Sequence, residues 1–268
     1  MVNTTDLYWS VDGVSLNTHA QNIESLVPLM APPEMRGEEL IIPYAPGEQW
    51  VQKVVGSRIL PLGMWVVGDT RDEFDDNWAA LVKLLWRPGQ QFNLTKRFRR
   101  GGVTYSATAK AEFVSGLAPT MIGRRGAKFT VDLKLADPYF YDEVATVFTL
   151  TSNRANYTLP GDAATHNIEI VVDGPRGPLD FINWTTGDDM ILNRTTTSVE
   201  LVRVFPKTWQ ATRYPDAGGS FDITSVITHS GGSPLWFSMA PGVNDIQRNE
   251  SAPTGAGPIT INAKGAWL

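Results

Sequence analysis

The side chains capable of acid–base or metal chemistry are few and scattered in this chain. The three histidines, His19, His166 and His229, stand in unrelated contexts, with no His-Glu-x-x-His motif, Walker motif or dinucleotide fingerprint. The chain contains no cysteine, which excludes disulfides, thiolate metal ligands and cysteine nucleophiles. The sequence therefore predicts no catalytic residues, no metal site and no cofactor.

One pair of carboxylates, Asp188-Asp189, resembles the two acids of a glycosidase. Adjacent residues of a strand point to opposite faces, so these two carboxylates do not flank one glycosidic bond. We expect a solvated turn at this position. Together with the scattered histidines, this pair indicates a protein that is not an enzyme.

Aromatic side chains of the second half suggest a different chemistry, the stacking of indole rings on pyranose faces. Most large aromatics of a β-sandwich lie in its core. Trp184, which precedes Thr185-Thr186-Gly187, and Trp209, near Tyr214-Pro215, are the ones expected to be exposed. Saccharide binding through Trp184 and Trp209 stays open as an alternative function.

A single long helix is the main landmark of the first half. Thr70-Arg71-Asp72-Glu73 has the spacing of a capping box, and Pro88-Gly89 ends the pattern. Large apolar residues recur at helical spacing between these signals, which predicts one face packed on a sheet. These residues are Phe74, Trp78, Leu81 and Leu85.

Short strands and Gly/Pro turns account for the rest of the first half. Asp12-Gly13 and Gly101-Gly102 each predict a tight hairpin between alternating strands. The Pro-rich, charged segment between Pro28 and Pro46 predicts a long surface excursion instead of a central strand. Further strands are expected over 58–67, 91–95, 103–113 and 128–135.

The second half carries no helix signal and many short strands separated by Gly, Ser and Pro clusters, a spacing typical of a β-sandwich. The alternating pattern breaks at about 137–147, so we expect two domains, residues 1–140 and 141–268. Strands are expected around Ile168–Val172, Met190–Asn193, Val199–Phe205, Phe221–Ile227, Trp236–Met239 and Ile259–Trp267. The predicted fold class is mainly β with one helix.

Acidic and basic residues are segregated, although the chain has a net charge of −5. Residues 1–95 carry a net charge of −6, and residues 96–134 carry +7. A chain with this overall charge has no general attraction for nucleic acid. The N-terminus lacks a basic region followed by an apolar run, and no stretch reaches the roughly 20 apolar residues of a membrane span.

The order of these landmarks resembles the distal tail proteins of long, flexible-tailed bacteriophages, especially minor tail proteins of phages of actinobacteria. The resemblance covers nearly the whole chain and includes the single helix. In the first half it is carried by Tyr8-Trp9-Ser10-Val11-Asp12-Gly13, the loop from Arg36-Gly37 to Pro46-Gly47, and Asp137-Pro138-Tyr139-Phe140-Tyr141. In the second half it is carried by Gly174-Pro175 with Pro178, Ile182-Asn183, Thr185-Thr186-Gly187, Pro241-Gly242-Val243-Asn244-Asp245-Ile246, Ile259-Thr260-Ile261 and Ala266-Trp267-Leu268.

This resemblance implies a hub of the tail tip. The N-terminal domain is expected to be a tail-tube-like β-sandwich or barrel with one helix, and six copies are expected to close into a ring around the DNA channel. The C-terminal domain is expected to be a peripheral galectin-like or carbohydrate-module-like β-sandwich. The alternatives are a carbohydrate-binding module used in host adsorption and the tail-tube protein itself, which would not need so large a second domain.

The partners that the resemblance implies are further copies of this chain and other tail proteins. The tail-tube protein is expected above the ring, tail-tip and tail-associated proteins below it, and the tape-measure protein in or near the lumen. DNA would pass through without sequence-specific binding, and no membrane is involved. The expected location is the virion, at the tail tip, after assembly in the cytoplasm of the bacterial host.

The segregated charges predict where neighbouring copies meet. A ring needs a heterologous interface, in which one patch contacts a different patch of the next copy. The predicted interface joins an acidic loop to a basic hairpin: Glu34, Glu38 and Glu39 with Lys96, Arg97, Arg99 and Arg100. Two alternatives stay open: a solvated hairpin tip, and a basic surface lining the lumen near DNA phosphates, formed by Arg99, Arg100, Arg124, Arg125 and Lys128.

Overall fold

The structure is a computed structural model, and it describes residues 8–24, 32–37, 40–41, 48–49, 54–229, 237–250 and 258–268. The chain divides into two compact units. The first runs to Phe140 and includes Leu268, and the second is Tyr141–Trp267.

The first unit is built on an antiparallel sheet with one helix. The strands on the main path of this sheet follow the order β2-β1-β9-β10-β12-β8-β3, and β11 pairs with β12. The elements are β1 Tyr8–Val11, β2 Val14–Ser15, β3 Gln21–Ile23, β4 Met35–Arg36, β5 Leu40–Ile41, β6 Glu48–Gln49, β7 Val54–Val55, β8 Arg58–Val67, α1 Arg71–Leu85, β9 Gln91–Arg100, β10 Val103–Gly116, β11 Thr120–Met121 and β12 Gly126–Leu135.

Helix α1 begins and ends close to the predicted residues. The Oγ1 of Thr70 accepts the N–H of Glu73 at 3.1 Å, and the Glu73 carboxylate accepts the N–H of Asp69 at 2.8 Å, so two free N–H groups at the helix start are bonded. Trp78 is half-buried and meets the Phe129 ring edge-on at 5.1 Å. The other residues of the predicted stripe are buried, which confirms the packing face: Phe74, Leu81 and Leu85.

Both predicted hairpins of the first unit are present. Asp12 and Gly13 have φ of 46° and 83°, and Gly101 and Gly102 have φ of 57° and 84°, as two-residue hairpin turns with positive φ require. The second hairpin joins β9 to β10 in unbroken register over ten residue pairs. The basic residues of β9 therefore lie near the tip of a long two-stranded hairpin.

The described residues of the Pro-rich segment, 32–37 and 40–41, lie outside the main sheet, as predicted for a surface excursion. It forms two short antiparallel pairs, β4 with β7 and β5 with β6. The side chains of Met35 and Val55, which face each other across the first pair, are exposed. The guanidinium of Arg36 donates to the Ser57 hydroxyl at 2.7 Å. We call this segment, residues 34–57, the arm.

The second unit is a two-layer β-sandwich. One sheet has the order β14-β24-β16-β19-β20-β21 and the other β15-β23-β17-β18-β22, while β13 pairs with β25. Strand β13, Phe140–Asp142, starts at the last residue of the first unit. The strands that follow it are β14 Thr146–Thr149, β15 Arg154–Leu159, β16 Ile168–Asp173, β17 Leu179–Asn183, β18 Asp188–Leu192, β19 Glu200–Phe205, β20 Gln210–Pro215, β21 Phe221–Asp222, β22 Ile227–Thr228, β23 Gly242–Glu250, β24 Ile259–Ala263 and β25 Ala266–Trp267.

Alternating residues of both sheets form one apolar core. Ile170 and Val204 come from the six-stranded sheet, and Phe181, Met190 and Ile246 come from the five-stranded sheet, all at most 1% exposed. The fold class predicted from the sequence, mainly β with one helix and a second β-sandwich, is confirmed.

Three details of the predicted strands differ. Ile259–Trp267 is divided into β24 and β25, because Lys264 and Gly265 interrupt it. Phe221–Ile227 is not one strand, because a short 3-10 helix at Thr224–Val226 interrupts it. The cause is local: the Asp222 carboxylate accepts the N–H and the hydroxyl of Thr224 at 2.9 and 2.6 Å, which turns the backbone. Of Trp236–Met239, Trp236 lies outside the described residues, and Met239 contributes an isolated bridge with Thr165.

A cluster of three charged residues joins β19 to its neighbours in the second unit. Glu200, 6% exposed, accepts from Arg213 at 2.7 Å and from Arg194 at 3.1 Å, and the Thr197 N–H donates to it at 3.0 Å. Burial would raise the pKa of Glu200, but the Thr197 N–H and the two guanidinium groups outweigh burial and lower this pKa.

A second buried carboxylate joins the two ends of this unit. Asp142 on β13 accepts the indole N–H of Trp267 at 2.7 Å and the main-chain N–H of Gly265 at 3.2 Å. Burial raises the pKa of Asp142 despite these hydrogen bonds. These hydrogen bonds of the Asp142 side chain therefore reinforce the pairing of β13 with β25.

Candidate interaction surfaces

The basic hairpin of the first unit has two different faces. Side chains alternate along β9, so Arg97 and Arg99 share a face that excludes Lys96. Arg97, Arg99 and Arg100 are exposed. Lys96 is half-buried; its ammonium donates to the main-chain carbonyl of Leu268 and lies 4.7 Å from the centroid of the Phe140 ring. The hairpin thus presents three arginines, while Lys96 serves packing inside the unit.

The acidic side of the predicted ring interface lies on the arm. Glu34 is exposed, and its main-chain carbonyl accepts the N–H of Gly56, which ties the base of the arm together. Glu38 and Glu39 lie outside the described residues.

The second basic group of the first unit lines a surface groove of about 620 Å³, together with His19, Trp65 and Asp69. Two of its three cations are engaged inside the chain: the Lys128 ammonium pairs with the Glu24 carboxylate, and the Arg125 guanidinium donates to the main-chain carbonyl of Asp69. The main-chain carbonyl of Arg124 accepts from Arg71 at 3.1 Å, while its own side chain is exposed. The Glu24 carboxylate offsets the charge of Lys128, whereas the bond to a neutral carbonyl orients Arg125 and leaves its positive charge in place.

The two tryptophans predicted to be exposed are exposed, Trp184 by 54% and Trp209 by 53%. Trp184 follows β17 at the edge of a row of polar side chains on the five-stranded sheet. Trp209 ends the 3-10 helix Pro206–Thr208 with a φ of 56° and precedes β20 of the other sheet. The two rings therefore belong to different sheets of the sandwich.

The sequence identified Trp184 but missed the polar residues around it. Its indole N–H donates to Gln247 at 2.8 Å, and the Arg154 guanidinium lies 5.4 Å from the ring centroid. Arg154 also pairs with Asp245 through two nitrogens, and this hydrogen bond lowers the pKa of Asp245. The alternation of polar residues along Val243–Asn249 was the available signal.

The expectation of a solvated turn at Asp188-Asp189 is wrong. Both residues begin β18 and are buried, 8% and 7% exposed. The Asp188 carboxylate accepts the N–H and the hydroxyl of Ser238, and the main-chain oxygen of Asp189 lies 2.9 Å from Nδ1 of His229. The Asp188 carboxylate is structural, because it holds the chain next to Ser238 in place.

The described residues contain neither a cluster of metal ligands nor a membrane-spanning helix. No group of three or more His, Cys, Asp or Glu residues there is arranged to hold a metal ion. No helix in the described part of the chain has the length and apolar character to cross a membrane.

The chain has the fold of a phage distal tail protein. It is similar over 98% of its length to 99% of the chain of the Dit protein of phage SPP1, "a paradigm of hub adsorption apparatus in Gram-positive infecting phages", with a TM-score of 0.65 and 15% identity. The baseplate of phage P2 in its activated conformation also matches, with Ca (7% identity, TM-score 0.44) and with Sr (8%, 0.43), each over 96% of this chain and 98% of the other. No family model and no curated protein matches the sequence. For the fold, the likeness to the SPP1 protein confirms the resemblance inferred from the sequence.

Proposed function

We propose that this chain is a structural protein of a phage tail tip, a hub that forms a ring at the distal end of the tail tube. The observation that carries the proposal is the extent of the likeness to the SPP1 hub protein, which includes both units and nearly every residue of each chain. A tail-tube protein would account for the first unit alone, and a carbohydrate module for the second alone.

The proposed role is assembly without catalysis. The carboxylate pair Asp188-Asp189 is bound inside the sandwich, so it is not available to a substrate. The proposed partners are further copies of this chain in a hexameric ring, the tail-tube protein above and tail-tip proteins below, with the tape-measure protein and passing DNA in or near the lumen. The proposed location is the virion tail tip, after assembly in the host cytoplasm.

The proposed contact between copies joins the acidic arm to the basic hairpin tip. Glu34 on one side and Arg97, Arg99 and Arg100 on the other are exposed, so they are accessible to a neighbouring copy. Lys96 no longer belongs to this set, because its ammonium is engaged with Leu268 and with aromatic rings of its own unit. Such patches set the register and the salt dependence of association more than its total affinity.

The mass of the purified protein in solution tests the ring. Light scattering should give a species of about six times the chain mass of 29.5 kDa at low salt, since a closed heterologous ring has a defined number of copies. High salt should shift the species toward the single chain, because screening weakens exposed charge pairs. A chain that remains a monomer at every salt concentration, even with its purified tail-tube partner, contradicts the proposal.

A double charge reversal, Arg99→Glu with Arg100→Glu, tests the hairpin as the interface. The ring should dissociate at protein concentrations at which the unchanged chain stays assembled. The matched control is Lys83→Glu with Lys110→Glu, which changes the charge equally at two exposed positions of the same unit. If both double variants assemble like the unchanged chain, the hairpin is not the interface; if both dissociate, the effect is one of net charge.

A further inference from the structure

The outward face of the five-stranded sheet holds Trp184 in a fixed, accessible orientation. The main-chain N–H of Trp184 donates to the Asp245 carbonyl at 2.9 Å, which extends the β17–β23 ladder, and its indole N–H donates to Gln247 at 2.8 Å. Arg154 lies over the ring but is itself held by Asp245, and 54% of Trp184 stays exposed. Because the indole is held in place before a ligand binds, binding would cost little side-chain conformational entropy.

Planar polar side chains continue from the ring along the same face. Arg154, Gln247 and Ile182 are directly opposite one another across β15, β23 and β17, and Asn249 is opposite Asp180 two residues along. Gln247 donates to Asn249 at 2.8 Å, and Asn249 donates to Asp180 at 3.2 Å. The sheet thus presents an indole followed by two amides and a carboxylate in one hydrogen-bonded row.

This row has unused hydrogen-bonding capacity. Each amide NH₂ group has two donors, and the bonds above use one donor of Gln247 and one of Asn249. The Oδ1 of Asp180 is shielded from solvent and has no hydrogen-bond partner among the described residues. Because this oxygen is shielded, the groups left for ligand hydroxyls are the spare donors of the two amides and the other carboxylate oxygen of Asp180, which accepts from Asn249 and has a further lone pair.

The chemistry of this face matches one class of ligand. A pyranose has an apolar C–H face that stacks on an indole and a rim of hydroxyl groups that both donate and accept, which amides and carboxylates satisfy. The guanidinium of Arg154 is already paired with Asp245, so it offers little to an anion, and Asp180 repels one. We propose that this face, centred on Trp184, Gln247, Asn249 and Asp180, binds a neutral pyranose saccharide.

The test is binding of the full-length protein to an array of neutral gluco-, galacto-, manno- and N-acetylhexosamine oligosaccharides, with phosphorylated forms of the same sugars beside them. We expect binding to at least one neutral series and weaker binding to its phosphorylated form. An array without binding, or with binding to phosphorylated sugars alone, overturns the proposal.

Calorimetric titration with the best oligosaccharide of the array then locates the site. Trp184→Ala should weaken binding by about tenfold or more, about 1.4 kcal/mol, since both the stacking face and its buried apolar area are lost. Trp209→Ala is the matched control, because Trp209 is equally exposed on the other sheet. The proposal fails if Trp184→Ala binds as the unchanged chain does, or if both variants lose binding equally.

A second variant covers the case in which Trp184→Ala does not fold. Asn249 is exposed, and Asn249→Ala removes one donor of the polar row without opening the core; it should still weaken binding several-fold, about 1 kcal/mol for one hydrogen bond. The inference stands on the second unit and does not rest on the ring. Light scattering of the same variants distinguishes the two proposals, because a blank array with an intact ring refutes only the saccharide site.

Discussion

Replacing Glu200 with glutamine removes the charge that two arginines share in the second unit. Both arginines donate to the same oxygen of Glu200, at 2.7 and 3.1 Å, so the amide oxygen of Glu200→Gln can still accept them, but without the negative charge of these charge-assisted hydrogen bonds. The amide NH₂ then faces the Thr197 N–H, which loses its acceptor. Charge-assisted hydrogen bonds contribute about 1.5–3 kcal/mol each when buried. Arg194 and Arg213 remain 28% and 26% exposed, so water offsets part of the loss, and we expect the free energy of unfolding to fall by about 2 kcal/mol at pH 7.

The pH dependence of this effect has a definite sign. The pKa of Glu200 is lower in the folded chain than its unfolded value of about 4.3, so the charged form stabilises the fold. This contribution is fully present above the unfolded pKa and disappears as the pH falls through the folded pKa. The difference between the unchanged chain and Glu200→Gln should therefore be constant near pH 7 and shrink below about pH 4.

Urea unfolding of both chains at several pH values measures this difference. Glu169→Gln is the matched control, because Glu169 pairs with Arg203 at 3.0 Å on the same sheet but is more exposed, and its loss should cost at most about 1 kcal/mol. An equal loss in the two variants, or a difference for Glu200→Gln that persists unchanged in acid, would refute the assignment of the stability to the buried charge.

Two further predictions concern the ends of elements. Thr70→Ala removes the side-chain cap of α1 and should lower the free energy of unfolding by about 1 kcal/mol in urea titrations, whereas Thr70→Asn, which keeps a capping oxygen, should not. Gly265→Ala places a Cβ about 2.2 Å from the main-chain oxygen of Pro160 and 2.6 Å from Asp142 Oδ2, so the melting temperature should fall by several degrees; an unchanged melting curve would contradict the close packing around Asp142.

Local signals in the sequence predicted the elements whose determinants lie within a few residues. The cap at Thr70 and Glu73 and the turns at Asp12-Gly13 and Gly101-Gly102 depend on neighbouring residues only, and the structure places them as predicted. The interrupted strand at Phe221–Ile227 was also predictable, because Asp222 and Thr224 have the spacing of a side-chain turn.

The residues that sequence analysis misplaced depend on partners far along the chain. Asp188 is buried because Ser238, 50 residues away, donates to its carboxylate, and no local pattern indicates that contact. Lys96 was grouped with its basic neighbours by charge, although the strand period places it on the opposite face from Arg97. Fold class follows from local periodicity, whereas the environment of a charged side chain is a tertiary property.

The pairing of β13 with β25 brings the entry and the exit of the second unit side by side, because Tyr141 and Trp267 lie on these two strands. A domain whose two ends are adjacent can be replaced by another domain without moving the rest of the chain, since the new segment needs only two neighbouring junctions. The hydrogen bond from the Trp267 indole to the Asp142 carboxylate joins the chain at those two junctions. A sandwich of a different size could therefore replace this one at the same two junctions without changes to the strands of the first unit.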